Sequence, residues 1–208
     1  MKNNLLLIFT VLSIIGCSSY KNATKNVFST DEIKMIMNAD SLKPMRVYKI
    51  TNYEDSLLLR KKSAYIKPNP NDPVLHNFVK RLYATVTDSA SLGAGIAAPQ
   101  VGVLKNIIWV QRFDKENFPF ELYLNPVIIK YSDEKQTRRE GCLSIPNRRD
   151  TLSSRAFSVS VEYDTMNGEH KTETIEDFTS VIFQHEVDHL NGILYLDHLQ
   201  KEVIDAKN

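Results

Sequence analysis

His185 and His189 stand four residues apart, with Glu186 beside the first, in the run Gln184-His185-Glu186-Val187-Asp188-His189. Residues four apart share one face of a helix, so both imidazoles can reach a single cation while Glu186 projects next to it. Neutral imidazoles suit zinc, iron or nickel, and the neighbouring carboxylate can take a proton from water activated by the ion. Such strings also arise on ordinary helices, and two histidines do not complete a site, so a third ligand is required. Cys142 is the candidate, in Glu140-Gly141-Cys142-Leu143-Ser144-Ile145-Pro146, where the glycine allows a close approach. Cys17 and Cys142 are the two cysteines. Metal ligation accounts for an isolated thiol better than burial as a small apolar side chain does. The run Gly93-Ala94-Gly95-Ile96-Ala97-Ala98-Pro99-Gln100-Val101-Gly102 matches neither a phosphate loop nor a dinucleotide fingerprint. It offers backbone bare of side chains, along which a peptide can approach, and a side-chain N–H at Gln100.

These residues need elements to hold them. An amphipathic helix, the last of the chain, is expected to start near Thr179 or Ser180 and run through Leu190, stopping at Asn191-Gly192. Residues 106–113, 120–129, 157–163 and 171–175 read as strands, with Asn167-Gly168 as a hairpin turn between the last two. Cys142 falls between predicted strands, and residues 93–102 read as a loop. Asp72 before Pro73 starts a helix that buries Leu75, Phe78, Val79, Leu82, Tyr83 and Val86 along one face. Ser29 with Glu32 forms a capping box for a short helix through Met37. The order of elements predicts an α+β fold, with mostly antiparallel sheets around a central helix carrying the His-Glu-x-x-His motif.

Length and charge bound the rest. The 208 residues suit one domain with terminal decoration, and 26 Lys and Arg against 25 Asp and Glu leave a net charge of +1, which excludes the basic excess of a nucleic-acid binder. Lys2 followed by a nearly unbroken apolar run over residues 5–15 fits a signal-peptide core and is too short to span a bilayer. It ends in Ile14-Ile15-Gly16-Cys17, similar to a bacterial lipobox, so residues 1–17 read as a lipoprotein signal with Cys17 the lipidated residue. Residues 18–44 read as a polar tether and short helix, and 45–208 as the catalytic domain, with globular organisation beginning near Met45. Lipid anchoring at the cell envelope is the expectation, and a cytoplasmic protein the alternative if the signal is not used.

Three segments taken together resemble the peptide deformylase family: residues 93–100 match Gly-x-Gly-x-Ala-Ala-x-Gln, residues 140–144 match Glu-Gly-Cys-Leu-Ser, and residues 184–190 match Gln-His-Glu-x-Asp-His-Leu. The resemblance covers residues 45–199. It implies hydrolysis of the N-terminal formyl group of formyl-methionyl peptides by a monomer. It further implies Cys142, His185 and His189 as ligands of Fe²⁺, with Zn²⁺ or Ni²⁺ as substitutes, and Glu186 as the catalytic acid–base. Gln100 and the Leu143 N–H would face the oxyanion, Gly95 would bond the substrate backbone, and Val181 and Ile182 would build part of an apolar pocket. Arg138 and Arg139 depart from the pattern near that pocket and put side-chain preference in question. His76, His170 and His198 show no pattern of partners and read as ordinary exposed or capping residues. Two other readings remain: a zinc peptidase with His198 or Asp197 as third ligand, which leaves Cys142 unexplained, and an inactive binder of formyl-peptides.

Overall fold

The computed structural model describes residues 28–89 and 93–207. The segment expected to be a signal, Cys17 and the expected tether over residues 18–26 lie outside them. Its elements run α1 (Thr30–Met37), α2 (Tyr53–Leu59), α3 (Pro73–Thr87), β1 (Gly95–Ala97), a 3-10 turn (Ala98–Val101), β2 (Ile107–Gln111), β3 (Phe120–Tyr131), β4 (Lys135–Cys142), β5 (Ile145–Ala156), β6 (Ser158–Asp164), β7 (His170–Glu176), α4 (Asp177–Leu190) and α5 (Tyr195–Asp205). The α+β class and antiparallel pairing are as expected.

Local chemistry explains the helix starts. Ser29 Oγ accepts the Glu32 N–H while Glu32 accepts the Ser29 N–H, which is the reciprocal capping box. Asp72 accepts from Val74 and Leu75, and Pro73 occupies the first turn of α3. The body of the fold begins upstream of Met45, however. Phe28 and Ile36 are buried in the core beside α3. Buried Arg81 of α3 donates to the Met35 and Ile36 carbonyls, taking up acceptors that the end of α1 leaves free.

Five strands form one antiparallel sheet in the order β1-β2-β3-β6-β7, so β1 and β7 are its edges. The period-two alternation of β1, β2 and β3 divides the core. Ile96, Ile107, Trp109, Leu122 and Leu124 face the cluster built on α1 and α3. Their neighbours Ala97, Ile108, Val110 and Tyr123 face Ile182, Phe183 and Val187 of α4. The sheet is thus sandwiched, with the motif helix on one face.

Two expectations about α4 are corrected. It is buried on nearly every side from Thr179 to Val187 rather than along one stripe, because sheet, hairpin and 3-10 turn all pack against it. Nor is it the last helix, since α5 follows and packs on β5. The region around Cys142 differs too. It joins β4 and β5, an antiparallel pair forming a second sheet. Their composition, KQTRREGC and IPNRRDTLSSRA, carries no apolar alternation by which to see strands. Residues 95–97, expected in a loop, form edge strand β1.

Candidate active site

The two sheets and α4 meet where the three motifs lie. Cys142 ends β4, and its Sγ lies 3.2 Å from Nε2 of His189 on α4. One ligand atom each from Cys142, His185 and His189 lies within 4.8 Å of the others, a span one ion can bridge. Burial alone would raise the Cys142 thiol, but His189 and His185 against the sulfur overcome it and hold the group well below the ordinary thiol range. The cluster therefore stabilises a thiolate, the form that ligates a metal. Burial would likewise lower His185, yet Cys142 and Glu140 push it well above its usual range. That is the mark of a site built for positive charge, which a divalent cation supplies with the imidazole neutral. The donor set fits a divalent ion.

Around the ligands the supports are ordered. His185 Nδ1 lies 2.8 Å from Glu140 Oε2. Ionised Glu140 can only accept, so Nδ1 carries the proton and Nε2 is left as the ligand atom. Burial would raise Glu140, but His185 and Arg155 outweigh it and bring the carboxyl down to about 2. Arg155, itself buried, grips Glu140 with two bonds of 2.7 and 3.0 Å and reaches Asp188 at 2.7 Å. His198 in turn lies 2.8 Å from Asp188. Tyr195 stacks on the His185 ring at 6.0 Å between centroids.

Glu186 is 4% exposed, and its Oε2 has no hydrogen-bond partner among the described residues. Burial, the leading cause, raises its pKa to about 7 against the opposing pull of His185 and His189. A buried carboxylate left unpartnered beside a cation site is placed to exchange protons.

Gln100 is oriented by its neighbours. The Ala97 N–H bonds Gln100 Oε1 at 2.9 Å, so the amide nitrogen must point the other way. Nε2 lies 3.3 Å from Ser144 Oγ and 3.5 Å from Cys142 Sγ. Close to Gly95 there is no room for a side chain: a Cβ would lie 2.6 Å from Glu186 Oε1 and 2.8 Å from Ile182 Cγ2.

A cavity of about 730 Å³ opens onto this cluster and is lined by Gly95, Gln100, Cys142, Leu143, Val181, Ile182, His185 and Glu186, among others. Every site residue expected from the sequence therefore meets at one place except Cys17, which lies outside the described residues. Phe178 also lines the cavity, a residue sequence reasoning missed, as it missed Arg155, Asp188 and Tyr195. Asp188 sits within a recognised motif, whereas Arg155 and Tyr195 have no local signal. Arg138 and Arg139 separate: Arg139 lines the cavity, whereas Arg138 is tied to Gln136 and Asp177. His198 and Asp197 do not join the ligand cluster, which removes the support for a zinc-peptidase site. His198 instead belongs to the Asp188 network, and His170 pairs with Asp164.

Fold and site define a class: α+β metal-dependent hydrolases whose central helix carries His-Glu-x-x-His and whose third donor is a cysteine from a β-hairpin. The polypeptide deformylase family model matches residues 47–204. The chain belongs to the peptide deformylase family, enzymes that use a metal to hydrolyse the formyl group from N-formylated peptides. It is 36% identical over 155 residues to the peptide deformylase of Desulforudis audaxviator, covering 74% of this chain and 94% of that one. It is 37% identical over 157 residues to that of Desulfotalea psychrophila, covering 74% and 89%. Among solved structures, class I type b peptide deformylase from Acinetobacter baumannii superposes with a TM-score of 0.66 at 35% identity, over 74% of this chain and 99% of that chain. The Thermotoga maritima enzyme gives 0.65 at 28% identity, covering 74% and 97%.

Proposed function

We propose that Cys142, His185 and His189 hold the divalent ion of this deformylase and that Glu186 is its general acid–base. The observation that carries the assignment is the buried Glu186 carboxylate, unpartnered at Oε2 among the described residues and beside the three converging donors. When bound, the ion supplies Lewis acidity and makes a water easier to deprotonate. Glu186 takes the proton of the attacking water and later delivers it to the leaving amine. Gln100 Nε2, turned toward the site by the Ala97 N–H, donates to the oxyanion as charge builds on the formyl oxygen, together with the Leu143 N–H. One such donor is typically worth about 3 kcal/mol in the transition state. Val181 and Ile182 present an apolar wall to the first side chain, which suits methionine. Edge strand β1 lets the peptide backbone pair beside Gly95 as an added strand.

Fe²⁺ is the native ion of this reading and Zn²⁺ or Ni²⁺ its substitutes, since one thiolate and two imidazoles accept all three. The enzyme works as a monomer. Its catalytic body is carried at the cell envelope by acylated Cys17 through the tether over residues 18–26. What supports the anchoring is the sequence pattern: Lys2, the apolar run over residues 5–15 and the Gly16-Cys17 junction.

The test is deformylation of a short formyl-Met peptide beside its unformylated twin. Glu186→Ala retains the metal and loses at least ~10²-fold in turnover. Cys142→Ser loses metal content, about one ion per chain in the wild type. Near-normal turnover by the first variant removes Glu186 from its role, and full metal in the second removes Cys142.

A further inference from the structure

The mouth of the cavity has a charge of its own. Lys49, Arg139, Arg148 and Arg149 all line it and all are exposed, in a chain whose net charge is only +1. The carboxylates of the lining are Glu140 and Glu186, and both are buried at the floor. Arg148 is matched by Asp150, 2.7 Å away. Lys49, Arg139 and Arg149 have no ion-pair partner among the described residues.

Two of these cations are placed by the hairpin. Arg139 pairs across the strands with Thr151, and Gly141 with Arg149, so Arg139 and Arg149 are diagonal neighbours on one face. Like charges there repel, and the hairpin offers that face no acidic residue near them. Gly141 makes the placement of Arg149 workable: a Cβ at position 141 would lie 3.0 Å from Arg149 Cγ, so the arginine stem lies over bare backbone. Lys49 comes from another part of the chain. Its backbone N–H is held by Asp55 at 3.0 Å.

We propose that Lys49, Arg139 and Arg149 select formyl-peptides bearing a carboxylate downstream of the first residue. The inference rests on the deformylase reading of the site. A peptide whose formyl group lies at Glu186 must leave through the mouth, so its following residues pass the three cations. The carboxylate can be an acidic side chain or the free C-terminus of a short peptide. Both present the same anion to the same guanidinium groups.

Rates on four peptides with the full, metal-loaded chain separate the cases. These are formyl-Met-Ala-Ser as free acid, the same peptide as C-terminal amide, formyl-Met-Asp-Glu amide, and formyl-Met-Lys-Lys amide. The expected order in kcat/KM places at least one carboxylate-bearing peptide about tenfold above the neutral amide and the basic peptide lowest. An advantage for the free acid identifies the C-terminus as the source, and one for the Asp-Glu amide identifies side chains. The ratio shrinks toward one in 1 M salt, where charges are screened within ~3 Å. Combined Arg139→Glu and Arg149→Glu inverts the order, and the salt series on the unaltered chain tests the inference even where that variant does not fold. Equal rates on neutral and acidic peptides overturn it, as does an acidic advantage that survives charge reversal. Absence of turnover on all four peptides instead overturns the deformylase reading itself.

Discussion

Glu140 Oε2 sits 2.8 Å from His185 Nδ1, and the same carboxylate is gripped by Arg155 through two further bonds. One residue of the β-hairpin thereby fixes both the tautomer and the ring angle of a residue on the central helix. Partners of this kind tune metal affinity by ~10–100-fold.

Glu140→Gln tests that link. The variant loses the charge that faces Arg155, a pair whose side chains are 3% and 4% exposed. Its amide can also turn an N–H against Nδ1. Breaking a buried pair on one side costs about 3–5 kcal/mol. Metal affinity is expected to fall by at least ~10-fold in competition with a chelator, with a lower midpoint of thermal unfolding. Unchanged affinity would show that His185 needs no such support.

How much of this was legible follows from distance along the chain. His185 and His189 lie one helical turn apart, so spacing alone placed them on a common face with Glu186 beside it. Cys142 was visible because an isolated thiol is unusual, and Gln100 took its role from the resemblance of residues 93–100 to the family motif. Arg155 was not visible. It meets Glu140 from 15 residues away and Asp188 from 33, and no local pattern marks it. The β4–β5 hairpin escaped for a related reason: its strands are covered by arginine, serine and threonine, whose alternation carries no hydrophobic signal. The packing of Phe28 and Ile36 onto the core, unlike the capping box that starts α1, depends on long-range contacts.

Gly95→Ala addresses the bare backbone beside Glu186. The added methyl would meet Glu186 Oε1 at 2.6 Å and Ile182 Cγ2 at 2.8 Å, closer than carbon normally approaches either. Either the strand shifts or the carboxylate does, and overpacking of this kind costs about 1–3 kcal/mol. A misplacement near 1 Å is worth ~10²-fold in rate. The expectation is a fall in kcat/KM of that order with metal content retained. Wild-type kinetics in a folded Gly95→Ala protein would deny that this contact sets the position of the carboxylate.

Asp55 offers a pH-dependent readout away from the metal. Its bonds from Arg46, at 2.7 and 2.8 Å, are the main cause holding its carboxyl below 3.8; burial opposes them and the Lys49 N–H assists. A carboxyl depressed in the folded state contributes stability above its unfolded value. That contribution is lost as pH falls below 3.8 through the folded value. Asp55→Asn should therefore be less stable than wild type at neutral pH, by about 1–2 kcal/mol given that Arg46 is largely exposed. The gap should narrow in urea titrations as pH drops below 3.8. A gap independent of pH would mean that shape, not charge, is what Asp55 supplies. Because Asp55 also holds the Lys49 backbone, the variant should weaken the preference for carboxylate-bearing peptides.

Placement in the cell is tested through Cys17. The apolar run over residues 5–15 is too short for a stable spanning helix, and among the described residues no helix is long and apolar enough to cross a membrane. On the proposed lipoprotein reading, attachment rests on acylation of the Cys17 thiol after Gly16, with two or more chains giving stable anchoring where a single chain is marginal. Residues 18–26 are polar and would hold the catalytic body clear of the lipid surface. In fractionated cells the wild-type chain is expected with the membranes and released by detergent but not by salt. Cys17→Ala is expected to lose the acyl chains by mass spectrometry and to leave the detergent-dependent fraction, or to remain as an uncleaved precursor of higher mass. Deformylase activity of the purified catalytic body should be the same in both, since residues 1–17 precede the matched family region by about 30 residues. Recovery of both forms in the soluble cytoplasm, with an unmodified Cys17, would refute the lipoprotein reading and leave the catalytic assignment standing.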